Sequence, residues 1–226
     1  MIKKDLQIPS PKTEPYIKRV AIFGSADVDP QHPLYKEAFN VARTLAYHDK
    51  LIVDGGGPGV MDAATKGARA AGGKSLVVTF YPDDAPEFEG RLDDNTADEE
   101  IKTANYIERM FGLMENADIF VCFQGGTGTL SEWATAWVLA HLYYGKHKPL
   151  ILYGDFWNNL MRVVNDSFFI GDKEKELYKI VKNEAELMEA MNEFEAEMKE
   201  RYREAAISEK AREEQEAAQK EVHYNA

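Results

Sequence analysis

Ala117-Asp118-Ile119-Phe120-Val121-Cys122-Phe123-Gln124-Gly125-Gly126-Thr127-Gly128-Thr129 is the stretch on which the fold turns. Its first half is continuously apolar rather than alternating, which suits a strand covered on both faces, as in a parallel sheet. Its second half breaks into glycines and hydroxyls. Glycine lets backbone N–H groups approach an anion closely, and the N-terminus of a following helix adds partial positive charge. Thr127 and Thr129 add hydroxyl donors, so the ligand such a loop suits is a phosphate.

Working outward, the same grammar recurs. Apolar runs at residues 19–23, 51–53, 75–80 and 149–153 read as further strands. Helical spacing of apolar residues marks helices at 33–48, 60–71, 106–115, 130–144, 157–169 and 184–194. Gly72-Gly73 stops the second of these, since glycine accepts left-handed dihedrals. Strand and helix alternate throughout, and that rhythm specifies an α/β fold with a doubly wound parallel sheet. Residues 17–192 are expected to form this one domain. Residues 1–16, with Pro9, Pro11 and Pro15, read as an irregular leader. Residues 81–100 are rich in acids and proline and read as a long loop. Residues 193–226 read as a charged tail, either an exposed helix carried by i,i+4 charge pairs or a partly disordered segment.

Composition narrows the function classes. The chain has 226 residues, 44% of them apolar, enough to bury a core. Lysine and arginine number 27 against 39 acids, a net charge of −12. That balance argues against a nucleic-acid polymer or an anionic membrane as partner, because both call for a broad cationic surface. A single cysteine, Cys122, excludes an intramolecular disulfide and a thiolate zinc site. With no apolar run of membrane-spanning length, the expected location is the cytoplasm. The five histidines show no ligand spacing, so no metal is expected.

Three glycine-bearing loops follow strands: Gly24-Ser25, Gly55-Gly56-Gly57-Pro58-Gly59 and Gly125-Gly126-Thr127-Gly128. In open α/β sheets ligands bind beyond the carboxyl ends of the strands, where such loops sit. No P-loop string occurs, and the first strand carries one glycine rather than a dinucleotide fingerprint. A mononucleotide-sized ligand fits best. Glu132 stands just past the phosphate loop; it is either a reactive acid or the last residue of a capping box with Thr129 as cap. Arg109 either points toward the loop or lies on the surface of its helix.

Read together, these residues resemble the LOG (Lonely Guy) family of nucleoside 5′-monophosphate phosphoribohydrolases. Its Pro-Gly-Gly-x-Gly-Thr-x-x-Glu motif is matched from Gly125 to Glu132, with Gln124 in place of proline. A second motif is matched by Gly55-Gly56-Gly57-Pro58-Gly59-Val60-Met61-Asp62-Ala63-Ala64, with Asp62 in place of glutamate. The family's Arg-Lys pair corresponds to Arg109-Met110. The resemblance implies a Rossmann-like fold and hydrolysis of an N-glycosidic bond, giving free base and ribose 5-phosphate, with no cofactor. Glu132 and Arg109 would then be catalytic. Gly125, Gly126, Thr127, Gly128, Thr129, Gly24, Ser25, Gly55, Gly56, Gly57, Gly59 and Met61 would hold the nucleoside monophosphate.

A pyridoxal-phosphate decarboxylase would need a Schiff-base lysine, and neither glycine motif contains one. A non-catalytic carrier of a phosphorylated nucleotide or cofactor, similar to molybdenum-cofactor carriers, is the alternative reading. The helix over residues 130–144 is apolar nearly all round, so it must be buried in the core or against a second subunit. The family resemblance implies the latter, hence a homodimer. Trp133 and Trp137, one turn apart, are read as core residues rather than a base-stacking platform.

Overall fold

The computed structural model describes residues 15–82 and 90–224, with side-chain surroundings described as far as residue 208. β1 (Arg19–Phe23) leads through α1 (Pro33–Tyr47) to β2 (Leu51–Asp54), and α2 (Val60–Ala70) leads on to β3 (Ser75–Phe80). β4 (Glu99–Thr103), α3 (Tyr106–Glu115), β5 (Ile119–Cys122), α4 (Thr127–Leu142) and β6 (Leu150–Tyr153) follow. α5 (Phe156–Ser167), the short α6 (Asp172–Lys175), β7 (Tyr178–Val181) and α7 (Glu184–Tyr224) complete the order. The sheet runs β4-β3-β2-β1-β5-β6-β7, and every pairing is parallel.

Side chains alternate across each strand, so one apolar strand feeds two cores. Val20 and Ile22 of β1, with Ile119 and Val121 of β5, pack under α1, α2 and α7. Ala21, Phe23, Phe120 and Cys122 face the opposite layer of α3, α4 and α5. Helices on both faces explain why the central strands lack a polar alternation. β1 departs toward β2 on one side while β5 returns on its other side, so the sheet reverses winding between β1 and β5. The carboxyl ends of those two strands are where a doubly wound sheet opens a crevice.

Two strands and the short α6 depart from the sequence reading. Residues 99–103, of which 99 and 100 were expected within the loop and 101–103 were given no element, form β4 at one sheet edge. Residues 178–181, given no element, form β7 at the other edge. Both strands are short and mostly exposed or only partly covered, Val181 apart, so neither carries the apolar run that betrays an inner strand. The expected loop therefore ends at Asp98, and its residues 83–89 lie outside the described part. Residues 90–98 fold back on the second glycine loop, where the Leu92 N–H donates to the Gly56 carbonyl at 2.9 Å.

The expected leader lies, except for residues 15 and 16, outside the described residues. The amides of Tyr16 and Ile17 donate to the Glu195 carboxylate at 2.6 and 2.8 Å, tying the entrance of the fold to α7. α7 runs unbroken through the point where a tail was expected to begin. Its Leu187, Ala190, Met191, Phe194 and Met198 are buried in the first core.

Candidate functional site

α4 begins at Thr127, with Gly126 as an extended N-cap that carries no side-chain cap. The capping-box reading of Thr129 and Glu132 is thereby corrected: Thr129 lies inside the first turn, and Glu132 in the second. The glycines hid this start, because they read as loop. The first intrahelical bond in this turn runs from the Leu130 N–H to the Gly126 carbonyl at 3.0 Å. Helix geometry leaves the amides of Thr127, Gly128 and Thr129 without partners in the helix. They sit at the positive end of the α4 dipole, which favours an anion there.

A cavity of about 570 Å³ opens at this helix end. Gly126, Thr127, Gly128, Thr129 and Glu132 line it from α4, Gly24 and Gly55 from the ends of β1 and β2, Met61 from α2 and Arg109 from α3. Nine of the expected site residues therefore meet in one crevice. Glu132 is half-buried on the α4 face that looks into it. Burial pushes the Cys122 thiol well up, and the neighbouring Glu132 carboxylate adds to that rise.

Arg109 is not a surface residue: it is 3% exposed. Asn105 caps α3 by accepting the Glu108 N–H at 2.9 Å, and Glu108 reaches back to the Ala104 N–H at 2.9 Å. That start turns Arg109 toward the sheet. Its Nε donates to the Val78 carbonyl at 3.1 Å, and one Nη donates to the Gly55 carbonyl at 3.0 Å and meets the Met61 sulfur at 3.4 Å. Carbonyls of β3 and of the loop after β2 thus hold a buried guanidinium in one orientation, and its planar fork makes that orientation rigid. Met110 lies across the same helix, where the hydroxyls of Ser131 and Thr135 approach its sulfur at 3.5 and 3.4 Å.

Ser25, Gly56, Gly57, Gly59 and Gly125 do not line the cavity. Ser25, Gly59 and Gly125 join the three loops to each other, while Gly56 lies against Val77 and Thr79 of β3 and Gly57 against Met61 and the Gly90 carbonyl. The Ser25 N–H donates to the Gln124 carbonyl at 3.0 Å, and its own carbonyl accepts the Val60 N–H at 2.9 Å. Gly59, at φ +68°, brings its backbone so close that a Cβ would stand 2.2 Å from the Ser25 oxygen. At Gly125 a Cβ would stand 2.2 Å from the Thr129 hydroxyl and 2.9 Å from the Gly24 carbonyl carbon.

Asp54, fully buried at the end of β2, braces the second loop. Its carboxylate accepts the Gly56 N–H at 2.7 Å and the Thr65 hydroxyl at 2.9 Å. Burial pushes its pKa up to about 7, against the downward pull of those two bonds and of the Arg109 charge. Asp62 points away from the cavity toward α1, accepting from the Tyr35 hydroxyl at 2.5 Å and Lys66 at 2.8 Å. The lining also includes Asp27, Tyr106 and Ser131, which sequence reasoning did not single out. Their signal was positional only: each lies within a turn of a residue that was singled out.

A family model described as the SLOG cluster4 family matches residues 17–188. The chain belongs to that family. A cytokinin riboside 5′-monophosphate phosphoribohydrolase of Mycobacterium marinum is 32% identical over 150 residues, 65% of this chain and 75% of that protein. An uncharacterized protein of Archaeoglobus fulgidus is 30% identical over 120 residues, covering 53% of this chain and 74% of its own. Among solved structures, the molybdenum cofactor binding protein of Rippkaea orientalis superposes with a TM-score of 0.59 at 21% identity, over 79% of this chain and 97% of its own. That likeness shows the α/β Rossmann-like fold alone. Among the described residues no helix is long and apolar enough to cross a membrane.

Proposed function

We propose that this SLOG protein hydrolyses the N-glycosidic bond of nucleoside 5′-monophosphates. The observation that carries the reading is that Glu132 and a rigidly held Arg109 line the same cavity as the open amides of α4. The phosphate sits on the amides of Thr127, Gly128 and Thr129, and its binding energy fixes the sugar. As the bond from the anomeric carbon to the base nitrogen lengthens, its electron pair leaves with the base. Positive oxocarbenium character then builds on the ribose. The Glu132 carboxylate stabilises that charge and takes a proton from the attacking water, whose oxygen closes on the same carbon. Arg109 counters the negative charge of the phosphate or of the departing base. The departing base takes up a proton, and ribose 5-phosphate remains. Neither metal nor cofactor is invoked. The single cysteine and the negative surface suit a cytoplasmic setting.

The test is release of free base from AMP, CMP and GMP, followed by chromatography. The native protein releases base, and Glu132→Ala loses turnover by about 10²–10⁴-fold, the range for a positioned acid–base group, while still binding nucleotide. Binding without base release by either form overturns the hydrolase and leaves the carrier.

Two copies are proposed to pair across α4. Trp133 and Trp137 are buried, stacked at 5.4 Å between ring centroids, so they serve the core. The other flank of α4 leaves Leu130, Val138 and Leu142 more than half exposed. Leu130 and Val138, with Leu160, Val164, Phe168 and Ile170 and the edges of the two tryptophans, line an apolar groove of about 430 Å³. A continuous apolar surface of this kind marks an association site.

A further inference from the structure

Among its described lining residues the cavity is poor in cationic side chains for one that takes a phosphate. Arg109 is the one cation there, against two carboxylates in the same lining, Asp27 and Glu132. The helix amides supply donors from one side only. A phosphate monoester has three terminal oxygens, so a donor on the opposite side is needed to complete its shell.

Tyr106 stands there. It is the first residue of α3, set by the Asn105 cap, and its ring packs edge-on against Phe80 with centroids 6.2 Å apart. Its hydroxyl lies 3.8 Å from the point where a Cβ on Gly128 would be. The phenol oxygen therefore overlooks the first turn of α4, and a side chain at position 128 would fill the space between them. Glycine at 128 leaves that space to a ligand. We infer that the Tyr106 hydroxyl donates a hydrogen bond to the phosphate seated on the α4 amides, closing the anion site from the α3 side.

The inference rests on the phosphate position proposed above but not on hydrolysis. Tyr106→Phe removes the oxygen and keeps the ring against Phe80, so the melting temperature serves as a check that folding is intact. Calorimetric titration with ribose 5-phosphate is expected to show an affinity loss of roughly 10- to 100-fold, the range for a hydrogen bond to a charged group. Adenosine, measured by competition against AMP, is expected to bind the variant as it binds the native protein. Unchanged affinity for ribose 5-phosphate overturns the inference. So does an equal loss for adenosine, which would make Tyr106 a wall for the nucleoside. A native protein that binds ribose 5-phosphate through Tyr106 yet releases no base would uphold this inference and overturn the hydrolase.

Discussion

Asp54→Asn isolates the charge cost hidden under the second glycine loop. In the unfolded chain the Asp54 carboxyl ionises near pH 4, whereas in the fold it holds its proton to about pH 7. Between those values the folded state binds one proton more than the unfolded state, so stability falls as pH rises. The slope from this group is about 1.4 kcal/mol per pH unit, flattening above pH 7. From about pH 5.5 to about pH 8 the loss comes to about 2 kcal/mol. The amide introduced by the substitution carries no such titration, and its oxygen can still accept the Gly56 N–H. Urea denaturation of both proteins across that range is the assay. The variant is expected to gain about 2 kcal/mol on the native protein between the two ends. A difference that stays constant with pH refutes the reasoning, because it means that Asp54 titrates alike in both states.

Gly59→Ala places a side chain at positive φ and against the Ser25 carbonyl, so a loss of about 2–4 kcal/mol in chemical denaturation is expected, with turnover falling alongside. Arg109→Lys gives up the two-carbonyl grip and leaves a buried acceptor unsatisfied; a loss of about 1–3 kcal/mol is expected, along with slower base release. Val138→Glu puts a charge on the exposed apolar flank of α4, and sedimentation is expected to shift from dimer to monomer with circular dichroism unchanged.

The inner sheet was legible because β1, β2, β3, β5 and β6 are apolar on both faces, and burial on both faces is what a continuous run reports. β4 was not legible: Glu99, Glu100 and Lys102 give it a charged rather than an apolar run, with Glu100 held by the Thr79 hydroxyl and Arg91, and the strand pairs with β3 at the sheet edge. Arg109 was readable as a motif residue, but its burial was not. The two carbonyls that accept from it belong to Val78 and Gly55, 31 and 54 positions away in the chain. Of the glycines, sequence reasoning identified the loops but gave all of them to the ligand. The structure divides them, with Gly24, Gly55, Gly126 and Gly128 on the cavity, Gly59 and Gly125 packed between loops, and Gly56 and Gly57 set against β3 and the backbone of Gly90. That division depends on which backbones approach one another, which no local spacing records.

The interlocked glycine loops leave little freedom to retune the crevice from its floor. A methyl group at Gly59 or Gly125 pushes one loop into the next, so a gain in grip at one strand end would be lost at its neighbour. Divergence in ligand choice is therefore channelled to Asp27, Tyr106 and Ser131, lining residues that bear side chains outside the glycine runs. Libraries built at those three positions should change what the crevice accepts while the floor stays fixed.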